Sequence, residues 1–227
     1  MKPVALITGA SRGIGAAIAR ELVSTHHILV GGTNPASVQK MVDELGDASP
    51  FVADLNDDAA VAAAAKNVER CDVLIHNAGV EASEPIAETT RDEFRQIFEI
   101  NLFAVAQLTS LLLPKLREAR GHVFTINSGM SMRSRAKGAL YSGSKFALRA
   151  FTDALREEER GTIRVTSIHP GRVDTDMQRA MQKRDGNPYE QGNYIRPGAI
   201  ADLVRLAVDA TPEAMIEYLE VRPVVSS

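Results

Sequence analysis

Short apolar runs alternate with longer segments of helical periodicity along the whole chain. The runs are VALIT (4–8), HILVG (27–31), PFVA (50–53), DVLIH (72–76), HVFTIN (122–127), IRVTSIH (163–169) and MIEYLEV (215–221). Most are rich in Val and Ile, and their hydrophobicity is nearly continuous rather than alternating. That pattern predicts strands buried on both faces of a parallel sheet. Between them, residues 14–24 carry apolar side chains at Ile14, Ile18 and Leu22, one face of a helix. Further helices are expected over 37–45, 57–69, 91–118, 139–160 and 197–209. Pro114 is expected to kink or shorten the longest of them. The Ala-rich 59–65 reads as a good helix rather than a low-complexity tract. Strand–helix alternation throughout predicts one doubly wound α/β domain over 1–227, with a seven-stranded, mostly parallel sheet and helices on both faces. Only 174–197 resists assignment. It is polar, irregular and carries Gly, Asn and Pro, so it is expected to be a substrate loop or lid.

Composition narrows the function. Hydrophobic residues make up 44% and charged residues 24%, with net charge −3 and pI about 6.0. This balance gives no general attraction to nucleic acid or to an anionic membrane. No uninterrupted apolar run approaches the ~18 residues of a membrane span, and the start is too short in apolar residues for a signal peptide. The single Cys71 has no partner for a disulfide and no accompanying metal motif. A cytoplasmic protein without a metal site is the expectation.

The first run leads into TGASRGIG (8–15). Gly9, Gly13 and Gly15 between a strand and a helix permit a tight turn and close backbone approach to a pyrophosphate, with Ser11 and Ile14 in the same turn. The helix N-terminus then presents free N–H groups and a positive dipole end. Enzymes that use NAD usually place an acid about twenty residues on, to bond the ribose 2′-hydroxyl. Here no Asp or Glu occurs between Glu21 and Asp43. Arg12 in the loop, with Thr33 and Asn34 after the second run, suits a 2′-phosphate, so NADP(H) is favoured over NAD(H). Asp54, beside Leu55 after the third run, either bonds the adenine or caps the next helix.

Three more motifs follow apolar runs: HNAG (76–79), NSG (127–129) and HPG (169–171). Ligands of open parallel sheets bind outside the carboxyl ends of the strands. Asn77, Ser128 and Pro170-Gly171 are therefore expected at the same edge as the glycine turn. Within the helix expected over 139–160, Tyr141 and Lys145 stand at i and i+4 and share a face. A Tyr–x–x–x–Lys pair arises by chance often enough to decide nothing alone; convergence on one edge gives it weight. Reduction of a ketone needs a proton delivered to the developing alkoxide. A phenol, with a pKa near 10, becomes competent when an ammonium stabilises its phenolate. A serine hydroxyl can hold the substrate oxygen near it.

With these motifs the chain resembles the short-chain dehydrogenase/reductase family over residues 3 to about 175. The ending EYLEVRP resembles the branch of NADP-dependent hydroxy-acid dehydrogenases. The resemblance implies a Rossmann-type fold and a hydride transfer between NADP(H) and a carbonyl or secondary alcohol. It implies Tyr141 as general acid/base, Lys145 as the group that lowers its pKa and binds ribose, and Ser128 as the group orienting the carbonyl. Asn101 would hold a water linking Lys145 to solvent. Asn77, Ala78 and Gly79 would border the adenine ribose, and Val173 and Thr175 after Pro170-Gly171 would reach the nicotinamide amide. A homodimer or homotetramer packed through 91–118 and 139–160 is implied as well. Gly143 and Thr33 depart from the family's usual Ala and Arg. The substrate is less determined: a small hydroxy acid or a 3-oxoacyl compound, with Arg133, Arg135 and Lys137 at the pocket rim. A nucleotide-sensing protein without turnover, and a lyase or epimerase that retains its dinucleotide, are the alternatives.

Overall fold

A computed structural model describes residues 2–225. Seven strands form one sheet in the order β3-β2-β1-β4-β5-β6-β7. They are β1 (Val4–Ile7), β2 (His27–Gly32), β3 (Ala48–Val52), β4 (Val73–His76), β5 (His122–Ile126), β6 (Arg164–Pro170) and β7 (Tyr218–Val221). Every neighbouring pair is parallel, so the sheet is parallel throughout rather than mostly so. The order reverses between β1 and β4. At such a switch point the crossovers leave to opposite sides and open a crevice at the carboxyl ends.

Among the described residues eight α-helices cover the sheet: α1 (Gly13–Leu22), α2 (Pro35–Leu45), α3 (Asp58–Lys66), α4 (Arg91–Phe98), α5 (Ala104–Ala119), α6 (Ala139–Glu158), α7 (Asp176–Arg184) and α8 (Pro197–Val208). One apolar layer holds Ile18 and Leu22 of α1, Met41 of α2 and Ile200 and Val204 of α8 against Ile7, Ile75 and Phe124. The other holds Val61 of α3, Leu108, Leu112 and Leu116 of α5 and Leu155 of α6 against Leu6, Leu74 and Val165. Residues of the central strands β1, β4, β5 and β6 thus alternate between two buried layers, which is why their apolar runs read as continuous.

Three expectations change. The helix expected over 91–118 is two helices joined by a π turn, Glu99–Phe103. It runs on through Pro114 to Ala119; the irregularity lies a dozen residues earlier. Taken together, Arg91–Ala119 is long and apolar enough by length and composition to cross a membrane. Its Leu108, Leu112 and Leu116 are instead fully buried in the second layer, which is how a core helix reads. The segment 174–197 is not a bare loop either. It contains α7, whose N-cap Thr175 accepts from the Gln178 amide.

Candidate active site

The glycine turn closes the switch-point crevice at one end. Gly9 (φ 65°) and Gly13 (φ 58°) take left-handed backbone, where a side chain is strained. A Cβ at Gly15 would stand 2.4 Å from the Gly9 carbonyl oxygen and 2.5 Å from Asn77 Nδ2. Thr8 and Asn77 fix the turn. Thr8 Oγ1 accepts from the amides of Asn77 and Ala78, both at 3.0 Å, and Asn77 Nδ2 donates to the Thr8 (2.9 Å) and Gly9 (3.2 Å) carbonyls. Asn77 is therefore first a clamp on the turn. The first turn of α1 has no side-chain cap, so its N–H groups stay available to an anion.

A cleft of about 790 Å³ runs from this turn along the carboxyl edge. Of the residues expected at a dinucleotide, it is lined by Gly9, Ser11, Arg12, Gly13, Ile14, Thr33, Asp54, Leu55, Asn77, Ala78, Gly79, Tyr141, Lys145 and Thr175. Gly15 and Asn34 are not among its lining residues. Gly15 supports the turn from beneath. Asn34 caps a helix: its side chain accepts from the Ser37 amide at 3.0 Å and starts α2. Asp54 is not a cap, because Asp57 caps α3, and its carboxylate stays beside the cleft, held low by the Asn56 amide and side chain. No carboxylate stands at the end of β2. Gly31 is there instead, where a Cβ would meet the Ile7 carbonyl oxygen at 2.6 Å. The turn and the free amides fit a dinucleotide diphosphate, and beside them Arg12 lines the cleft with no ion pair among the described residues.

A second cleft of about 940 Å³ adjoins the first and contains Ser128, Pro170, Gly171 and Val173. The last three, expected at the nicotinamide, thus face this second space. Tyr141, Ile14, Asn127, Thr175 and Met177 line both. Tyr141 is the titratable group at the seam. Lys145 is 4% exposed; its Nζ donates to the Ile126 carbonyl at 3.3 Å and lies 5.7 Å from the Tyr141 ring centroid.

The electrostatics depart from expectation. Burial holds the Tyr141 phenol above its ordinary value; the Ser128 hydroxyl pulls it down and the Glu81 carboxylate pushes it up. Burial lowers the Lys145 ammonium to about 8. In the structure burial, rather than Lys145, sets the direction of the phenol's shift, which is upward.

Asn101, in the π turn, is 1% exposed. Its Oδ1 accepts from the Val80 amide, and its Nδ2 donates to the Val80 carbonyl and to Ser144 Oγ, at 2.9, 2.9 and 3.0 Å. It joins the loop after β4 to the helix turn between Tyr141 and Lys145. His169 is structural: its ring meets Ser131 and Ser167, and burial lowers it to about 4. Three residues escaped sequence reasoning. Thr8 was visible only as part of the glycine motif. Asn127, 4% exposed with both side-chain polar atoms unpartnered, was hidden beside Ser128. Glu81 gave no signal; α7 reaches back to it through Arg184 at 2.9 Å.

Comparison with known proteins gives a consistent likeness. A family model described as short chain dehydrogenase matches residues 3–186. An uncharacterized short-chain type dehydrogenase/reductase of Sinorhizobium fredii is 34% identical over 227 residues, 97% of this chain and 91% of the relative. Among solved structures, an alcohol dehydrogenase from the archaeon Thermococcus sibiricus complexed with 5-hydroxy-NADP superposes with a TM-score of 0.87 at 27% identity. The match covers 100% of this chain and 99% of that one. A 3-ketoacyl-(acyl-carrier-protein) reductase from Brucella melitensis complexed with NADH gives 0.86 at 25% identity, covering 97% and 96%.

Proposed function

The chain belongs to the short-chain dehydrogenase/reductase family, and from that premise we propose an NADP(H)-dependent oxidoreductase acting on a carbonyl or secondary alcohol. The observation that carries the reading is the shared position of Tyr141, between a dinucleotide-sized cleft and a second cleft holding Ser128.

The glycine turn and the free amides of α1 would hold the diphosphate, and Asp54 and Leu55 would border the adenine. Arg12 and Thr33 would meet the ribose 2′ substituent; with no carboxylate there to repel it, a 2′-phosphate would be preferred. A nicotinamide bound there would supply or accept the hydride. The rest is the protein's own chemistry. Ser128 donates a hydrogen bond to the carbonyl oxygen and holds it near Tyr141. Tyr141 gives its phenolic proton to that oxygen as negative charge develops. Its raised pKa keeps the proton in place at neutral pH, so the ligand-free enzyme stands ready for reduction. Lys145, poised near 8, is charged at neutral pH and stabilises the phenolate as it forms. The 174–197 segment, with α7 over both clefts, excludes water. Oligomerisation through 91–118 (α4 and α5) and α6 and a cytoplasmic setting belong to the same proposal. Among substrates, small hydroxy acids or 3-oxoacyl compounds suit the basic rim best.

The test is NADPH and NADH oxidation over 3-oxo acids, their esters and thioesters, quinones, ketones and aldehydes, with Tyr141→Phe alongside. NADPH-dependent turnover that falls roughly 10²- to 10⁴-fold in the variant is expected. Turnover that survives the substitution refutes the role of Tyr141. NADPH binding without turnover of any carbonyl refutes the reductase.

A further inference from the structure

The second cleft has a wall that the catalytic motifs do not account for. β7 pairs with the end of β6, the Gly171 amide donating to the Val221 carbonyl at 2.7 Å. This pairing carries the residues after β7 across the mouth of the cleft. Two glycines seat them. A Cβ at Gly171 would stand 2.8 Å from Pro223 Cδ. At Gly129 the crowding is greater: a Cβ would stand 1.8 Å from Arg222 Nη1, 2.4 Å from its Cζ and 2.5 Å from its Nη2. The guanidinium therefore occupies the volume of a side chain at 129, one residue beyond Ser128.

One edge of that guanidinium is spent, since Nε and Nη2 both donate to Glu220 Oε1. Nη1 has no hydrogen-bond partner among the described residues, and Arg222 is one of the residues that line the cleft. Arg133, Arg135, Arg172 and Arg222 line the cleft against Glu81, Asp185 and Glu220. Glu81 and Asp185 both pair with Arg184 and Glu220 with Arg222, whereas Arg133, Arg135 and Arg172 form no ion pair among the described residues, so the cleft keeps a small positive excess.

We propose that Arg222 is a specificity-determining residue that binds the carboxylate of a short oxo or hydroxy acid through Nη1, and that Gly129 is glycine to admit it. The inference rests on the oxidoreductase reading and deepens it. Consecutive Cα atoms are 3.8 Å apart, so a cation seated on Gly129 lies close to the group that holds the reacting oxygen. A carboxylate there stands one or two carbons from the reacting carbon. Thioesters of a large carrier lack that charge and are disfavoured.

Two measurements test this. The first is the ratio of kcat/KM for a 3-oxo acid to that for its methyl ester, in wild type, Arg222→Ala and Gly129→Ala. Wild type should prefer the acid, and both variants should lower the ratio by about 10- to 100-fold, the loss of one charge-assisted hydrogen bond. Arg222→Lys should lie between. An unmoved ratio, with turnover intact, overturns the inference and leaves the oxidoreductase reading standing. The second needs no turnover: thermal denaturation of the NADPH-saturated protein with malonate or with malonamide. Malonate alone should raise the wild-type midpoint, and Arg222→Ala should abolish the rise. Equal behaviour of wild type and variant, including no rise in either, overturns the inference. A rise that depends on Arg222, in a protein that reduces no carbonyl, supports the anion site while the oxidoreductase reading falls.

Discussion

Removing the Asn101 side chain should loosen the site from a distance. The carboxamide makes three hydrogen bonds at 2.9–3.0 Å in a position 1% exposed. Asn101→Ala leaves the Val80 amide, the Val80 carbonyl and one capacity of Ser144 unmet. At about 1 kcal/mol for each net hydrogen bond, the loss is about 3 kcal/mol. For a chain of this size each kcal/mol is about 2–4 °C in Tm, so a fall of roughly 6–12 °C is expected. Asn101→Asp keeps the acceptor for the Val80 amide but turns a carboxylate toward the Val80 carbonyl, and should be no better. Ser144→Ala removes one arm only, and a double-mutant cycle with Asn101→Ala should show coupling of about 1 kcal/mol. Activity should fall too, because Val80 lines the dinucleotide cleft and Ser144 sits in the helix turn between Tyr141 and Lys145. The assay pairs thermal melts with steady-state kinetics at a temperature where each variant is folded. A Tm within about 2 °C of wild type, with unchanged kcat/KM, would refute the view that Asn101 ties loop to helix.

Gly15→Ala places a methyl 2.4 Å from the Gly9 carbonyl oxygen and should weaken NADPH binding by about 10²-fold; fluorescence titration of NADPH with wild-type affinity would contradict this. Gly143→Ala should do the reverse, since its Cβ would meet only Phe98 carbons at 3.7–3.8 Å. Melts should show a gain of about 1 kcal/mol from helix propensity, and a loss would mean the helix interior has no room. Lys145→Met should abolish activity yet raise stability at pH 7. The folded pKa of about 8 lies below the unfolded 10.5, so burying the charged ammonium costs stability below pH 8, by about 3 kcal/mol. That cost fades as pH rises from 8 to 10.5, where the unfolded chain holds more protons. The stability advantage of Lys145→Met should therefore shrink over that interval in melts at stepped pH; a constant difference, or a less stable variant at pH 7, contradicts it.

What could be read in the sequence was local. The glycine turn works through backbone conformations at fixed spacing, and Tyr141 and Lys145 share a face because four residues make about one helical turn. The strands were visible because continuous apolar runs follow from burial on both faces. Even α7 left a trace: Thr175 stands three residues before Gln178, the spacing of a capping box, though the polar composition around it read as loop. Periodicity alone would have left Asn101 as one more helix residue; its assignment to the site came from the family resemblance. The π turn that presents it is held by bonds to Val80 and Ser144, residues 21 and 43 positions away, and no periodicity within 91–118 carries that information.

The same division applies to the electrostatics. Lys145 near Tyr141 was legible as a pair, and a pair in water would lower the phenol's pKa. Whether it does so in the fold depends on how much solvent both lose, which is set by β5, the loop after β4 and the 174–197 segment together. Burial raises the phenol and lowers the amine, and both shifts favour the neutral forms. Arg222 is the complementary case. Its basic character was plain, but its relation to Ser128 depends on a missing side chain at Gly129, 93 positions earlier in the chain. A glycine after a strand reads as a turn; here its lack of a side chain admits a guanidinium. Residues that act through what they leave empty declare themselves only once the chain has folded around them.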